Sequence, residues 1–329
     1  MTWWQPHIFE EKRSILEMRA RVVRAVRRFF DDQDFLEVET PILQIMPGAD
    51  VHIHSFKVDN AKYLHNSPEF AMKKLLVSGL PKIYQICKVF RRESLTKTHR
   101  PEFTMLEWYR AGMTYEALME DCQSLIQFCA KAANVNQLCF NSKVADPFVE
   151  FERLSVSEAF DRYVGIDLAG CLDDRDLFAS IAKEKGIRVI ETDAWDDIFH
   201  AIMAEKIESH LGQGAPTILY DYPTSMACLA RKKPSASQWA ERFELYICGL
   251  EIANAFSELT DPVEQRTRFN ADMNEKYRLY GERYPLDEDF LTALEHGLPE
   301  SAGIALGIDR LIMVLSGAQD VQQVLWAEV

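Results

Sequence analysis

Two runs of alternating side chains, Ile83 to Glu93 and Phe103 to Tyr109, flank a polar loop and constrain this chain more than any other feature. Side chains alternate along an extended strand with period two. Ile83, Gln85, Cys87, Val89, Arg91 and Glu93 therefore share one face, and Phe103, Met105, Glu107 and Tyr109 share one face of the next strand. The spacing predicts a β-hairpin that directs an arginine, two carboxylates, a phenyl ring and a phenol into one site. Within residues 88–100, Lys88, Arg91, Arg92, Lys97 and Arg100 oppose only Glu93. The whole chain carries 51 acidic against 37 basic residues and a net charge of -14, so this local positive charge is not a byproduct of composition. An acidic chain is a poor candidate for coating nucleic acid non-specifically, but it can still hold a local anion site.

The 329 residues are 47% hydrophobic, enough for a substantial core. We read residues 1–329 as a single catalytic domain with a helical accessory segment at about 155–213, the segment to which no chemistry attaches. None of the seven cysteines forms a Cys-x-x-Cys pair. The expectation is reduced thiols in a cytoplasmic protein. The N-terminal stretch from Met1 to Pro6 lacks the basic start and apolar run of a signal peptide. The longest apolar-leaning segment, Ala302 to Leu315, is too short to span a bilayer and contains Asp309 and Arg310. No membrane segment is expected.

Helical spacing of Ile15, Met18, Val22, Val26, Phe29 and Phe30 predicts a helix over 11–32, ending before an alternating strand over 35–39. Val51 to Val58 alternates as well and predicts another strand. His52 and His54 on it have metal-pair spacing, although exposed strand histidines are the plainer reading. Ser67 and Pro68 are common helix-starting residues, ahead of a helix over 71–78. Further helices are expected over 115–133, 157–163, 175–185 and 195–211.

Strands are expected over 217–222, 242–248 and 250–255. A two-residue turn at Cys248-Gly249 places Tyr246 opposite Glu251 and Glu244 diagonal to it, within reach of one cation; a three-residue turn separates them. Glu258 has the wrong parity for a flat strand and joins that face only if the chain bends near Asn254–Phe256. Gly303 to Leu311 reads as a short strand running into a helix. Gly307 at the junction admits close approach of a ligand, and Arg310 lies one turn in.

Arginine forks suit phosphates, paired glutamates suit Mg2+, and a ring such as Phe103 suits adenine, with Arg310 on its opposite face. Together they suit ATP held with Mg2+. Neither a Walker A pattern nor Gly-x-Gly-x-x-Gly occurs, so the site is neither a P-loop nor a Rossmann site. Taken singly, each residue has a duller reading: Arg91 as a surface ion pair, Phe103 as core, Glu244 and Glu251 as solvated. The ordered combination carries the weight.

That combination resembles the catalytic domain of class II aminoacyl-tRNA synthetases, specifically the lysine subgroup, over roughly residues 11–318. The first helix with Glu39-Thr40-Pro41 is similar to the family's first motif, the 83–110 hairpin to its second and Gly303–Leu315 to its third. Ser67-Pro68-Glu69 and Gly249 to Leu259 match the lysyl-type site. The resemblance implies an α+β fold, an antiparallel β-sheet flanked by helices, and a homodimer. It also implies roles. Arg91 would bind the α-phosphate and Arg310 the γ-phosphate, the two forming the catalytic pair. Glu244 and Glu251 would hold Mg2+. Glu93, His99 and Phe103 would frame ATP, with the backbone at Ile252 and Gly307. Ser67, Pro68, Glu69, Glu107, Tyr109, Asn254, Phe256, Glu258 and Ala305 would form the site for a lysine-like substrate. Arg92 and Arg100 complete the nucleotide-binding set. Both stand where the subgroup commonly has asparagine, and Arg92 is expected on the strand face opposite Arg91.

Only about a dozen residues precede the first helix, too few for the anticodon-reading domain of a lysyl-tRNA synthetase. The chain therefore resembles the short paralogues that attach (R)-β-lysine to a lysine of translation elongation factor P. Ala305, where lysyl-tRNA synthetases usually have glycine, supports that subgroup and a substrate of (R)-β-lysine or lysine. The implied reaction is adenylate formation followed by transfer to an amine. A minimal tRNA aminoacylase and a non-catalytic lysine or ATP sensor are the competing readings, with tRNA the less expected partner.

Overall fold

The computed structural model describes residues 3–59 and 62–327; Met1 and Thr2, part of the stretch read against a signal peptide, lie outside the described residues. The first helical pattern forms α1 (Pro6–Asp31), which begins earlier than the spacing predicts because Pro6 sits in its first turn with a preset φ. Eight strands follow in one sheet: β1 (Leu36–Glu37), β2 (Lys82–Phe90), β3 (Glu102–Ala111), β4 (Glu152–Ser155), β5 (Thr217–Pro223), β6 (Trp239–Ile247), β7 (Leu250–Ser257) and β8 (Ser301–Gly307). Their order is β1-β2-β3-β8-β7-β6-β5-β4. The pairs β2–β3, β3–β8, β8–β7, β7–β6 and β6–β5 are antiparallel, and only the edge strands β1 and β4 pair in parallel. The fold is the expected α+β arrangement, with parallel pairs added at both edges.

Helices α2 (Glu69–Val77), α3 (Tyr115–Ala133), α4 (Val156–Val164), α5 (Arg175–Glu184), α6 (Trp195–Ile202), α7 (Pro262–Tyr280), α8 (Glu288–Gly297) and α9 (Ile308–Ser316) flank the sheet. Strand alternation divides its residues between two faces. Leu106 and Trp108 point into a core closed by α1, α3 and α9, with Val22, Phe30, Leu125 and Ile312 fully buried. Each such side chain contributes about 1.5–3 kcal/mol of burial. Inside that core the Arg19 guanidinium pairs with Asp309 at 2.6 Å and ties α1 to the start of α9. The opposite face carries Ile83 and Tyr109, which pack with α2, α7 and α8 in a second core. A third core joins α4, α5 and α6 to Leu219, Tyr222 and Tyr246 of the sheet. The accessory segment thus leans on the sheet by way of β5 and β6. Among the described residues no helix is long and apolar enough to cross a membrane.

Two expectations fail. The stretch 51–58 is not a strand. The Asp50 carboxylate accepts from the amides of His52 (2.7 Å) and Ile53 (3.2 Å), and the buried Lys276 ammonium takes the carbonyls of Val51 and Ile53 at 2.8 Å each. With those groups occupied, no ladder forms. His52 hydrogen-bonds Tyr280 and pairs with Asp196, whereas His54 hydrogen-bonds Glu282 and meets Tyr280 only through its ring, so the two histidines have separate polar partners. The helix expected over 195–211 stops at Ile202 and continues as a π turn, Met203–Ile207, then a 3-10 turn, Glu208–His210.

Candidate active site

The hairpin pairs Ile83 with Tyr109, Gln85 with Glu107, Cys87 with Met105 and Val89 with Phe103, so the predicted face is contiguous. Just beyond β2, the Arg91 amide donates to the Pro101 carbonyl at 2.8 Å, which fixes where its side chain leaves the strand. Its guanidinium lies 5.1 Å over the Phe103 ring, and its buried Nε has no partner. An orphaned buried donor of this kind costs about 1–3 kcal/mol, which an anion would recover. Arg310 emerges from the first turn of α9. It donates to the Glu251 carbonyl (2.8 Å) and to Nε2 of His99 (2.7 Å). Burial and then the Arg310 charge lower the pKa of His99. The neutral ring accepts from Arg310 at Nε2, leaving Nδ1 to donate to Thr96.

Cys248 (φ 55°) and Gly249 (φ 77°) form the two-residue turn, and both positive φ values suit a hairpin of this length. Tyr246 faces Glu251 as predicted. Beyond that pair Leu245 faces Ala253, so Ile252 is an extra, unpaired residue. This bulge reverses the parity of the rest of β7. Glu251, Asn254 and Phe256 all line one cleft, and the change of side lies at Ile252 and not at Asn254–Phe256. Glu244 faces Asn254 directly.

The cleft holds about 440 Å3. Arg91, Glu93, His99, Arg100, Phe103, Glu244, Glu251, Ile252, Gly307 and Arg310 line one part of it. Ser67, Glu69, Glu107, Tyr109, Asn254, Phe256 and Ala305 line the remainder. The cationic and acidic neighbourhoods therefore open into the same space. Among the described residues no three metal-ligating side chains converge. Two carboxylates nevertheless suit Mg2+, which takes the rest of its shell from phosphate and water. Burial, then the neighbouring Glu244 charge, raises the pKa of Glu251, the strain a divalent cation relieves.

Three expected site residues are placed differently. Arg92, expected on the side opposite Arg91, turns away: its amide donates to the His54 carbonyl at 2.8 Å and its guanidinium pairs with Glu282 at 2.7 Å. Pro68 precedes α2 and supports its first turn without lining the cleft. Glu258 is fully buried beneath Gly303, where any Cβ would overlap it and the Tyr109 ring.

Lys73, absent from the sequence reading, organises the acidic part. Its buried ammonium contacts Glu69 at 2.5 Å and Glu258, and it lies 5.2 Å from the Phe256 ring. Burial opposes its charge, yet the Glu258 and Glu69 carboxylates more than offset this and raise its pKa. Burial and the Glu69 charge push Glu107 up to about 7, although Ser67 and Tyr109 donate to it at 2.7 and 2.6 Å. Burial also raises Glu258. Three carboxyls thus share one ammonium, so Glu107 and Glu258 hold on to their protons, and a diamine entering beside them would favour their ionised forms. The signal was present as Glu69 and Lys73 at i,i+4, a spacing that ordinarily marks an exposed helix pair.

Residues 7–326 match the tRNA synthetases of class II (D, K and N). The chain is 37% identical over 325 residues to the elongation factor P--(R)-beta-lysine ligase of Vibrio cholerae, covering 94% of each chain. It is 38% identical over 323 residues to the lysine--tRNA ligase of Magnetococcus marinus and 36% identical over 320 residues to that of Carboxydothermus hydrogenoformans. These matches cover 96% of this chain but only 64% and 65% of those relatives, just under two thirds of their length.

Proposed function

The chain belongs to the class II tRNA synthetases of the D, K and N type, and from that membership we propose that it is an ATP-dependent, AMP-forming ligase that activates (R)-β-lysine or lysine and attaches it to a lysine side chain of translation elongation factor P. One observation carries this reading: a single cleft joins Arg91 and Arg310 to Glu69 and Glu107, with Lys73 and Glu258 buried behind that acidic wall. A relative of matching length, named for the same reaction, supports the choice of acceptor. We further propose that the enzyme works in the cytoplasm as a homodimer.

In the first step a substrate carboxylate oxygen bonds to the α-phosphorus of ATP, and the bond to the leaving pyrophosphate breaks. The carboxylate is already ionised at neutral pH, so no side-chain base is needed. Arg91 would stabilise the charge that develops there, and Arg310, braced by His99, would hold the outer phosphates. Glu244 and Glu251 would hold Mg2+, which neutralises phosphate charge when bound. In the second step the acceptor amine attacks the adenylate carbonyl, loses a proton and displaces AMP. Ala305 faces both Glu107 and Asn254, so its methyl shapes the substrate floor. A difference of one carbon is worth about 1–3 kcal/mol, a preference for the β isomer short of exclusion.

Intact mass of elongation factor P after incubation with ATP, Mg2+ and either lysine isomer tests the proposal. The expected product carries one added lysine residue, formed faster from the β isomer. Charging of tRNA with no such adduct would reject it.

The KM for lysine is expected to fall as pH rises from about 6 to about 8. Glu107 keeps its proton up to about 7, above its usual 4.5, and an ammonium substrate binds the ionised form. The same raised value removes stability from the free fold as pH rises from about 4.5 to about 7, and bound lysine restores it. A KM that is flat across this range, with kcat carrying all of the pH dependence, would detach Glu107 from substrate binding.

A further inference from the structure

Three donors converge on Glu244. The hydroxyls of Tyr222 (2.6 Å) and Tyr246 (2.7 Å) both donate to Oε2, and the Arg242 guanidinium donates to Oε1 at 2.5 Å. Arg242 lies 4.3 Å over the Tyr222 ring and is anchored to the Met226 carbonyl and to Asn254. A carboxylate has about four acceptor positions. Three are filled here, and the one left over belongs to Oε1. Glu251 differs: among the described residues only the Arg310 guanidinium, 3.5 Å away, approaches its carboxylate.

The two tyrosine rings are buried in the core that α4, α5 and α6 build. Phe199 of α6 lies 6.3 Å from the Tyr222 ring. The hydroxyls therefore reach the cleft from side chains whose bodies the accessory segment seats. We propose that Tyr222 and Tyr246 are positioning residues that fix the Glu244 carboxylate toward a divalent cation bound with the nucleotide, and that the accessory segment serves the reaction by holding those two rings. The inference rests on the nucleotide-binding reading above, and it needs neither the lysine substrate nor the acceptor.

The test is a titration of the purified full chain with Mn2+ in the presence of ATP, followed by electron paramagnetic resonance, with ATP binding in chelator as a second arm. The parent is expected to bind the Mn2+–ATP pair. The Tyr222→Phe/Tyr246→Phe variant should weaken Mn2+ by about 10–100-fold, the usual effect of removing a group that orients a metal ligand. Its ATP binding without metal should stay unchanged, and it should still unfold cooperatively, at a lower melting temperature because Oε2 loses both of its donors. Phe199→Ala should weaken Mn2+ in the same direction while keeping metal-free ATP binding. Equal Mn2+ affinity in the parent and the double variant overturns the proposal. If the double variant does not fold, parental affinity in both single variants does the same. Unchanged affinity in Phe199→Ala overturns the part assigned to the accessory segment. A parent that binds ATP alone but no Mn2+ with it overturns the metal assignment, and a parent that binds no ATP overturns the proposed function itself.

Discussion

Arg91→Ala is expected to slow lysine-dependent pyrophosphate–ATP exchange by about 10²–10³-fold, the usual result of removing one preorganised donor from a developing charge. The expectation follows from how Arg91 is held. Its backbone is fixed to Pro101, its guanidinium is stacked against Phe103, and its buried Nε is left without a partner. Such a side chain is already paid for in the free protein and needs no rearrangement when an anion arrives. Arg91→Lys keeps the charge but loses the planar fork, so it should recover only part of the rate. A fall in kcat with a nearly constant KM for lysine would place the contact in the transition state. Exchange at the parental rate in a folded Arg91→Ala protein would remove Arg91 from the mechanism.

Much of this cleft was legible in the sequence because strand periodicity is rigid. The alternation through Gln85, Cys87 and Val89 and through Phe103, Met105 and Glu107 could be satisfied only by one hairpin, and the register follows it. Cys248-Gly249 likewise admits the tight turn that sets Tyr246 against Glu251. Where the reading failed, backbone groups had found partners remote in sequence. Alternation over 51–58 looked like a strand, but Lys276 takes the carbonyls of Val51 and Ile53 from 225 and 223 positions away. The parity of Asn254, Phe256 and Glu258 turns on one unpaired residue, Ile252, and a bulge of this kind carries no residue signature that periodicity can detect. Arg92, expected opposite Arg91, does turn away and pairs with Glu282; what fails is its place among the nucleotide-binding residues.

Lys73 was missed for a related reason: its helix partner Glu69 is visible in the sequence, whereas Glu258 reaches it only through the fold. Lys73→Met is expected to lower the unfolding free energy by about 3–5 kcal/mol near pH 8, the cost of leaving buried charge without its counter-ion. The loss should depend on pH in a definite direction. Without the ammonium, Glu258, already raised by burial, ionises still less readily in the folded protein, while in the unfolded chain it ionises near 4.5. Stability then falls as pH rises from about 5 to about 8, because the unfolded state gives up its protons first. The defect should be small at the acid end and largest at the alkaline end. Removing the opposing charge as well, in Lys73→Met/Glu258→Gln, should recover most of the loss, since two neutral groups of similar volume replace a broken pair. Denaturant unfolding of parent, single and double variants at both pH values separates these contributions. A loss of equal size at pH 5 and pH 8, untouched by the second substitution, would mean that Lys73 acts by filling space. The acidic pocket would then need another source of the balance that admits a diamine.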